Sequence, residues 1–420
     1  MDRGSSYYLL LSIGYIESFV LSVLRPIIIR FSAKFAEREL IVDQQIIDRD
    51  FGPKSVWIHV ASLGEFEQAV PIIEHLKQND SVDITLTFSS PSGYNIRKNY
   101  ELVDRVLYLP VDTKVNARKF IQKLRPDCAI FIRYELWINY LLELNALYIP
   151  VLYLNATYPR SILWRFIPFI LKSILHCFSY IITVNKQETA QFLELHLDTP
   201  IQTGSDTRLD RISSRVSQIL HHPLLIHELC PIDYSDEDTV IVLGSSWSKD
   251  EHVFLSQLHK MPSSLRLIIV PHEPDDMTIS RLKKECPHSG ILSELKYGDN
   301  PKHIIVDSVG KLMVLYAMAD AVYIGGGFGV GVHSCAEPAG FGVPLACGPF
   351  VHRSPDAMAL HALGALDIIH TEEEAYTWMM QIILDNKKLA AEASARYIKE
   401  SAGMTSKVIE LLYQELHIYK

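Results

Sequence analysis

Short runs of β-branched and aliphatic residues alternate with longer stretches of helical periodicity along most of the chain. Strand and helix alternating at this spacing is typical of parallel sheets covered by helices on both faces. The pattern therefore predicts an α/β fold built from two Rossmann-like halves. The predicted strands of the first half are Val56–Ala61, Val82–Phe88, Arg105–Leu109, Cys128–Arg133, Val151–Asn155 and Tyr180–Val184. Those of the second half are Val240–Ser245, Leu267–Pro271, His303–Val306, Ala321–Gly325 and Pro344–Cys347.

The predicted division between the halves lies between Gly204 and Asp238, where the hydrophobic periodicity weakens. A chain of 420 residues suits two domains, which we place at residues 46–210 and 211–420, after an N-terminal segment of residues 1–45. In such folds ligands bind beyond the carboxyl ends of the strands, and a protein of two halves is expected to bind them between the halves. Functional residues are therefore expected where strands end.

The N-terminal segment is apolar and then basic. Tyr7–Leu24 is strongly apolar but contains a glutamate, which would cost about 2.5 to 3.5 kcal/mol near the centre of a bilayer. Arg30, Lys34 and Arg38 recur every four residues and so share one helical face. We expect a membrane-associating helix that meets the membrane surface through these cations; the alternative is an ordinary buried helix pair at the edge of the first domain.

Charge and cysteine usage narrow the possible functions. The chain has 40 Lys and Arg against 49 Asp and Glu, so its formal charge is −9 and it lacks the broad basic field of a nucleic-acid-binding protein. Its 6 cysteines show no C-x-x-C spacing, which indicates neither a zinc site nor a disulfide framework. A reduced, cytoplasmic setting fits this composition.

The stretch from Ile324 to Gly348 is glycine-rich and follows a predicted strand. Glycines let the backbone approach a phosphate and present its N–H groups, and the N-terminus of a following helix favours an anion. Glu337, a few residues into that helix, is placed to accept the hydroxyls of a ribose. These features predict a nucleotide-sugar site that uses Gly325, Gly326, Gly327 and Gly329; the alternative is a tight turn from strand to helix.

Nine motifs, taken in their order and spacing, resemble the 3-deoxy-D-manno-octulosonic acid (Kdo) transferases of lipopolysaccharide assembly. Any one of them is weak, but together they are highly specific and cover nearly the whole chain. Those of the first half are His59–Ile73, Thr87–Tyr94, Leu107–Thr113, Tyr134–Leu141 and Leu152–Tyr158. Those of the second half are Thr203–Asp210, Gly244–Glu251, Val270–Pro274 and Ile324–Pro349.

The resemblance implies a two-Rossmann glycosyltransferase fold of the GT-B type and inverting transfer of Kdo from CMP-Kdo to a phosphorylated lipid A precursor, lipid IVA. It implies no metal and no cofactor besides the donor substrate. The first domain then binds the acceptor and the second the CMP-sugar. The place of action implied is the cytoplasmic face of the inner membrane.

Glu65 is the predicted general base. It follows the first strand and matches the glutamate of the family's S-x-G-E motif at Ser62 to Glu65. An acceptor hydroxyl becomes a good nucleophile when a positioned base takes its proton, a contribution of roughly 10² to 10⁴-fold. The alternative is a glutamate that only favours the start of a helix. Ser62, Gly64 and Ser90 join the candidates on the acceptor side.

Arg133 and Glu135 end the fourth predicted strand, where the resemblance implies two acidic residues in E-x-E-L-W and this chain has arginine at the first. Glu135 is interpreted as organising the site or meeting the acceptor, and Arg133 as a partner for Glu135 or for a lipid phosphate. The alternative is an ion pair of purely structural use. Trp137 and Trp247 are interpreted as packing residues, because aromatic side chains dominate cores.

Several residues are predicted to stabilise the leaving phosphate and the Kdo carboxylate. Arg208 matches a basic position in the family's motif, Ser245 and Ser246 follow the first strand of the second half, and His333 lies in the glycine-rich stretch. By the same resemblance Glu337 holds the ribose.

His272 departs from the family pattern. The chain reads Pro-His-Glu-Pro from Pro271 where the common form is Pro-Arg-His-Pro, so a titratable histidine replaces an arginine. His272 is interpreted as a ligand for phosphate or cytosine, or as a plain residue at a strand end.

Three other functions remain open at this point. A nucleotide-sugar 2-epimerase shares the fold, and a UDP-sugar-dependent glycosyltransferase at a membrane surface would also use a glycine turn. Competition between CMP and UDP separates these from a CMP-sugar enzyme. A non-catalytic ligand-binding module is the third, since fold does not guarantee chemistry, and it would not need Glu65.

Overall fold

A computed structural model describes residues 10–15, 18, 33–45, 54–79, 82–160, 168–222, 224–232, 234–385 and 387–414. The chain forms two compact units, one of Met1–Arg211 together with Gly403–Lys420, the other of Ile212–Ala402. The sequence placed residues 403–420 in the second domain, and this part of the prediction is corrected. The apolar face of the last helix explains the difference, because Met404, Val408 and Leu412 are buried in the core of the first unit.

The first unit is built on a seven-stranded parallel sheet of order β3-β2-β1-β4-β5-β6-β7. Its strands are β1 Ser55–Val60, β2 Asp83–Phe88, β3 Arg105–Tyr108, β4 Cys128–Ile132, β5 Val151–Ala156, β6 Tyr180–Thr183 and β7 Ile201–Thr203. Its helices are α1 Ala33–Gln44, α2 Leu63–Asn79, α3 Pro91–Arg97, α4 Lys114–Leu124, α5 Ile138–Ala146, α6 Pro168–Leu175, α7 Lys186–Leu193 and α8 Arg208–His221, of which α8 runs on into the second unit.

Both faces of this sheet are buried. Along β1, Val56 and Ile58 belong to one core cluster, whereas Trp57 belongs to the cluster on the opposite face. Because successive side chains of a strand point to opposite faces, a sheet covered on both sides reads in sequence as a continuous apolar run. This is why the central strands were predictable.

The second unit repeats the plan with a sheet of order β10-β11-β9-β8-β12-β13-β14, again parallel throughout. Its strands are β8 Thr239–Ser246, β9 Leu265–Pro271, β10 Ser289–Ile291, β11 His303–Ile305, β12 Ala321–Ile324, β13 Leu345–Cys347 and β14 Leu366–Ile368. The helices that follow α8 are α9 Leu224–Leu229, α10 Ser248–Leu255, α11 Asp276–Glu285, α12 Leu312–Leu315, α13 Ala336–Ala339, α14 Pro355–Ala362, α15 Glu372–Asp385, α16 Lys388–Ser401 and, in the first unit, α17 Met404–Gln414.

Each sheet has one place where the strand order reverses direction, between β1 and β4 in the first unit and between β8 and β12 in the second. Loops leaving adjacent strands there go to opposite faces of the sheet and leave a crevice at its carboxyl edge. The loops after these four strands carry most of the candidate site residues, whereas Ser90, Arg208 and His272 follow β2, β7 and β9.

The N-terminal segment is described only in part. Arg30 and the side chain of Lys34 lie outside the described residues. Arg38, in α1, is 6% exposed and donates hydrogen bonds to Glu39 and to the carbonyl of Leu109. The prediction that Arg38 meets the membrane is therefore wrong, since its guanidinium is directed into the first unit. No helix among the described residues is long and apolar enough to cross a membrane.

The described residues nearest the N-terminus also pack on the first unit. Leu10 is buried in its core, the hydroxyl of Ser18 donates to the side-chain oxygen of Asn139, and the backbone N–H of Lys114 donates to Ser18. For these residues the structure agrees with the alternative of a packed helix.

Candidate active site

Glu65 lies in the first turn of α2 and is 6% exposed. Its Oε2 accepts the backbone N–H groups of Ala61 at 2.6 Å and Ser62 at 3.0 Å. The carboxylate thus caps its own helix, as the structural alternative expected, but through one oxygen. Among the described residues no hydrogen bond to Oε1 is found, so this oxygen remains available to take a proton.

Glu135 approaches from the loop after β4. Its Oε2 accepts from the indole N–H of Trp137 and lies 3.1 Å from Nε2 of His59. Burial and the charge of Glu135 raise the pKa of Glu65, and these outweigh the opposing hydrogen bonds from Ala61 and Ser62. Two interacting carboxylates, of which one is buried, are a common arrangement for acid–base chemistry.

The remaining acceptor-side candidates surround this pair. Ser62 contributes its backbone N–H, and Gly64 is exposed at the start of α2. Ser90 caps α3 by accepting from the N–H of Ser92 at 3.3 Å, which is a structural role. Arg133 has a φ of 71°, and its guanidinium lies 5.1 Å from the ring centre of Tyr134; among the described residues no ion pair joins it to Glu135.

Arg208 occupies a different setting from the one predicted. It lies in the first unit, and its guanidinium donates to both carboxylate oxygens of Asp206, at 3.0 to 3.1 Å from Nε and 2.7 Å from Nη2. Gln68 donates to the same carboxylate at 2.9 Å. The charge of Arg208 is therefore compensated by Asp206, whose pKa is lowered by this pairing despite burial.

In the second unit the glycine turn is held by close backbone packing. A Cβ on Gly325 would lie 2.2 Å from the carbonyl oxygen of Ser245, and one on Gly327 would lie 2.5 Å from the nitrogen of Gly348. Gly326 has a φ of 90°. Steric necessity thus explains these three glycines, whereas Gly329 has open space where a Cβ would stand.

The turn's N–H groups are largely used within the fold. Gly325 donates to Gly244, Gly329 donates to Gly326, and Gly326 donates to the carboxylate of Asp250 at 2.9 Å. The prediction that these three amides bind phosphate is therefore corrected. The following helix α13 has four residues, so it adds little to an anion site.

Asp250 is a positioning residue that the sequence reasoning missed. It is 1% exposed and accepts from the backbone of Trp247 at 2.9 Å, from Gly326, and from the hydroxyl of Tyr323 at 2.6 Å. It ties the start of α10 to the turn after β12. The signal available in sequence is an acidic residue three positions after a helix start.

Three aromatic rings pack together beside this turn. The rings of Trp247 and His272 are 4.8 Å apart, and those of His272 and His333 are 4.4 Å apart. The indole N–H of Trp247 donates to Nε2 of His333 at 3.1 Å. A neutral His333 then carries its hydrogen on Nδ1, and burial together with His272 lowers the pKa of His333.

This arrangement bears on two interpretations made from sequence. Trp137 and Trp247 do more than pack, because both donate their indole N–H groups to candidate site residues. His272, in place of the family's arginine, is exposed, and its ring stacks on the rings of both Trp247 and His333.

The other donor-side candidates differ in their exposure and contacts. Ser246 is 2% exposed and its hydroxyl donates to Glu251 at 2.9 Å, so its side chain does not meet a ligand and that prediction is corrected. Ser245 is half-buried with a φ of 51°, at an irregularity of β8. Glu337 is half-buried in the first turn of α13, where its charge helps to raise the pKa of Tyr316.

Within the described part of the chain, no three or more His, Cys, Asp or Glu side chains are grouped so that they could hold a metal ion.

Comparison with known proteins places these features in a family context. A family model described as 3-deoxy-D-manno-octulosonic-acid transferase (kdotransferase) matches residues 32–211. A 3-deoxy-D-manno-octulosonic acid transferase of Aquifex aeolicus is 25% identical over 351 residues, covering 82% of this chain and 90% of the relative.

Two solved structures share the fold. A UDP-GlcNAc 2-epimerase from Neisseria meningitidis, bound to UDP-GlcNAc, superposes with a TM-score of 0.61 at 13% identity, covering 86% of this chain and 100% of its own. Acinetobacter baumannii MurG gives a TM-score of 0.55 at 12% identity, covering 86% of this chain and 100% of its own. These likenesses confirm the predicted GT-B type of architecture, two α/β units with parallel sheets.

Proposed function

Since the chain is a glycosyltransferase of the Kdo transferase family, we propose that it moves Kdo from CMP-Kdo to a phosphorylated lipid A precursor such as lipid IVA. The reaction inverts the anomeric centre and uses neither a metal nor a cofactor. Its place is the cytoplasmic face of the inner membrane, where such an acceptor would be met.

Glu65 is the general base of this proposal. As the acceptor hydroxyl oxygen bonds to the anomeric carbon of Kdo, its proton passes to Glu65, and the bond from that carbon to the phosphate breaks to release CMP. The observation that carries the proposal is the buried carboxylate anchored through Oε2, with its pKa raised. A carboxylate with a raised pKa is a stronger base at neutral pH.

The second unit is proposed to bind the nucleotide and the leaving phosphate. His333 supports this role because the bond from Trp247 leaves its Nδ1–H as a donor, and His272 lies against it. Glu337 is proposed to accept the ribose hydroxyls. The backbone around Gly327 and Ser245 supplies the shape of the turn.

Mass analysis of the product tests this function. The protein is incubated with CMP-Kdo generated in situ and a tetraacyl disaccharide lipid, with and without EDTA. We expect addition of Kdo by the wild type in both conditions and a loss of at least about 10²-fold for Glu65→Ala.

Glu101→Gln is the matched control, because Glu101 is an exposed carboxylate of the same unit and should leave the rate unchanged. CMP should inhibit and UDP should not. Full activity of Glu65→Ala, or inhibition by UDP in preference to CMP, would contradict the proposal.

A further inference from the structure

A series of buried hydrogen bonds in the first unit leads to Glu135, the carboxylate that interacts with Glu65. The indole N–H of Trp57 donates to the hydroxyl of Thr87 at 2.8 Å, and that hydroxyl lies 2.8 Å from Nδ1 of His59. Nε2 of His59 reaches Glu135 at 3.1 Å. Trp57, His59 and Thr87 are each fully buried, so the series is closed to solvent up to Glu135.

The donors in this series fix the form of His59. Thr87 accepts from Trp57, and its own hydrogen goes to Nδ1 of His59 at 2.8 Å, because the other acceptor, the carbonyl of Ile58, is at 3.5 Å. A neutral His59 then carries its hydrogen on Nε2 and donates it to Glu135. The arrangement requires Glu135 to be an acceptor.

Glu135 is consequently held in place by two donors. Both His59 and Trp137 direct N–H groups at the same oxygen, and these two hydrogen bonds fix where the carboxylate lies. The titratable groups that face Glu65 across this site are Glu135 and His59, and both carboxylates also act on the hydroxyl of Tyr153 from β5.

We propose that His59 is a positioning residue, which orients Glu135 and keeps its negative charge next to Glu65. His59 touches no reacting atom in this scheme and acts through Glu135. The inference rests on the proposed function, in which Glu65 is the base.

The proposal predicts that both changes displace the acidic limb of the pH profile of kcat/KM in the same direction. In Glu135→Gln the neighbouring negative charge is gone, so Glu65 ionises more easily and the limb moves to lower pH by about half a unit or more. In His59→Phe, Glu135 loses the donor that holds its carboxylate next to Glu65, so the negative charge acts less strongly on Glu65. The limb therefore also moves to lower pH, but by less than in Glu135→Gln.

The experiment measures kcat and KM from pH 4.5 to 8 for the wild type, Glu135→Gln, His59→Phe and the double variant. We expect kcat to fall about tenfold in His59→Phe with KM little changed, since the base and not substrate binding is affected. In the Glu135→Gln background His59→Phe should have little further effect on the limb, because its route of action is already removed.

His59→Gln is the conservative variant, since its amide can still donate to Glu135; it should restore the wild-type limb and most of kcat. It also keeps the test decisive if His59→Phe fails to fold. Glu101→Gln controls for loss of a carboxylate elsewhere in the unit.

The outcomes are separable from those of the proposed function. If the wild type transfers no Kdo, the function itself fails. If the wild type is active and the limb of His59→Phe does not move or moves to higher pH, or if His59→Gln behaves as His59→Phe does, the positioning role of His59 is overturned while the function stands.

Discussion

The two units share a strand order around their points of reversal, β3-β2-β1-β4 in one and β11-β9-β8-β12 in the other, yet they present opposite chemistry there. In the first unit the loops bring together the carboxylates Glu65 and Glu135. In the second they bring together an indole and two imidazoles, at Trp247, His272 and His333. The same backbone frame thus builds a proton acceptor in one unit and a set of N–H donors in the other.

The two turns also differ in how tightly their backbones pack. After β1, a Cβ on Gly64 would meet only the hydroxyl of Ser62, at 3.9 Å. After β12, a Cβ on Gly325 would lie 2.2 Å from the carbonyl oxygen of Ser245. The turn after β12 is therefore tightly packed, whereas the turn after β1 has space for a side chain. Glycine-to-alanine substitutions test this difference in packing directly.

Gly325→Ala should have the largest effect. The added methyl collides with backbone, which cannot move aside as a flexible side chain can, so the second unit should lose about 3 kcal/mol of stability. Binding of CMP should fall with it. Urea unfolding and calorimetric titration with CMP measure the two effects.

Gly64→Ala and Gly329→Ala are the matched controls, and both should lie within about 0.5 kcal/mol of the wild type. Equal losses of stability at Gly64, Gly325 and Gly329 would contradict the difference in packing between the two turns.

The fold was largely readable from sequence, and the exceptions have physical reasons. Eleven strands stood out because sheets buried on both faces give continuous apolar runs. The three that were missed, β7, β10 and β14, are edge strands of three residues that are only partly buried, whereas β11 and β13 are equally short but fully buried. The return of α17 to the first unit was hidden because an amphipathic helix shows which face is buried but not against which sheet.

The site was readable in part. The position of Glu65 after β1 follows from the motif and the strand end. The contacts of Arg208 and Ser246 could not be predicted, because closeness in sequence does not show that their polar groups turn toward Asp206 and Glu251, two and five positions away. The role of His59 was hidden for a different reason, since its partners lie 28 and 76 positions away.

Acid should destabilise the second unit more than the first. Burial lowers the pKa of His303 from 6.5 to about 4, with Lys302 and Arg266 acting in the same direction. The unfolded chain therefore binds this proton first, and stability is lost as pH falls from about 6.5 toward 4, by about 2 kcal/mol at pH 5. Glu65 has the opposite sign, because its raised pKa lets the folded first unit take the proton first.

Hydrogen exchange followed by mass spectrometry, corrected for intrinsic rates, measures how much stability each unit loses between pH 7 and pH 5. Peptides from β9 and β11 should lose protection, and those from β1 and β2 should not. His303→Gln should remove most of the pH dependence, whereas His288→Gln, at an exposed histidine of the same unit, should preserve it. Equal loss of protection in both units would contradict the assignment to His303.

The smallest expected effect concerns the donor side of the comparison. Trp247→Phe keeps a ring against His272 but removes the N–H that fixes the hydrogen of His333 on Nδ1. His333 then populates both neutral forms, and the dissociation constant for CMP should rise about threefold, within the usual worth of one hydrogen bond.

Trp378→Phe is the matched control for this change. It is the same substitution in the same unit, at an indole N–H that has no hydrogen-bond partner among the described residues, so CMP binding should not change. Nitrogen NMR of the imidazoles reports the form of His333 directly. If His333 keeps its hydrogen on Nδ1 in Trp247→Phe, or if both tryptophan variants weaken CMP equally, then the indole does not set the donor, and the second unit's contrast with the carboxylates of the first rests on the stacked imidazoles alone.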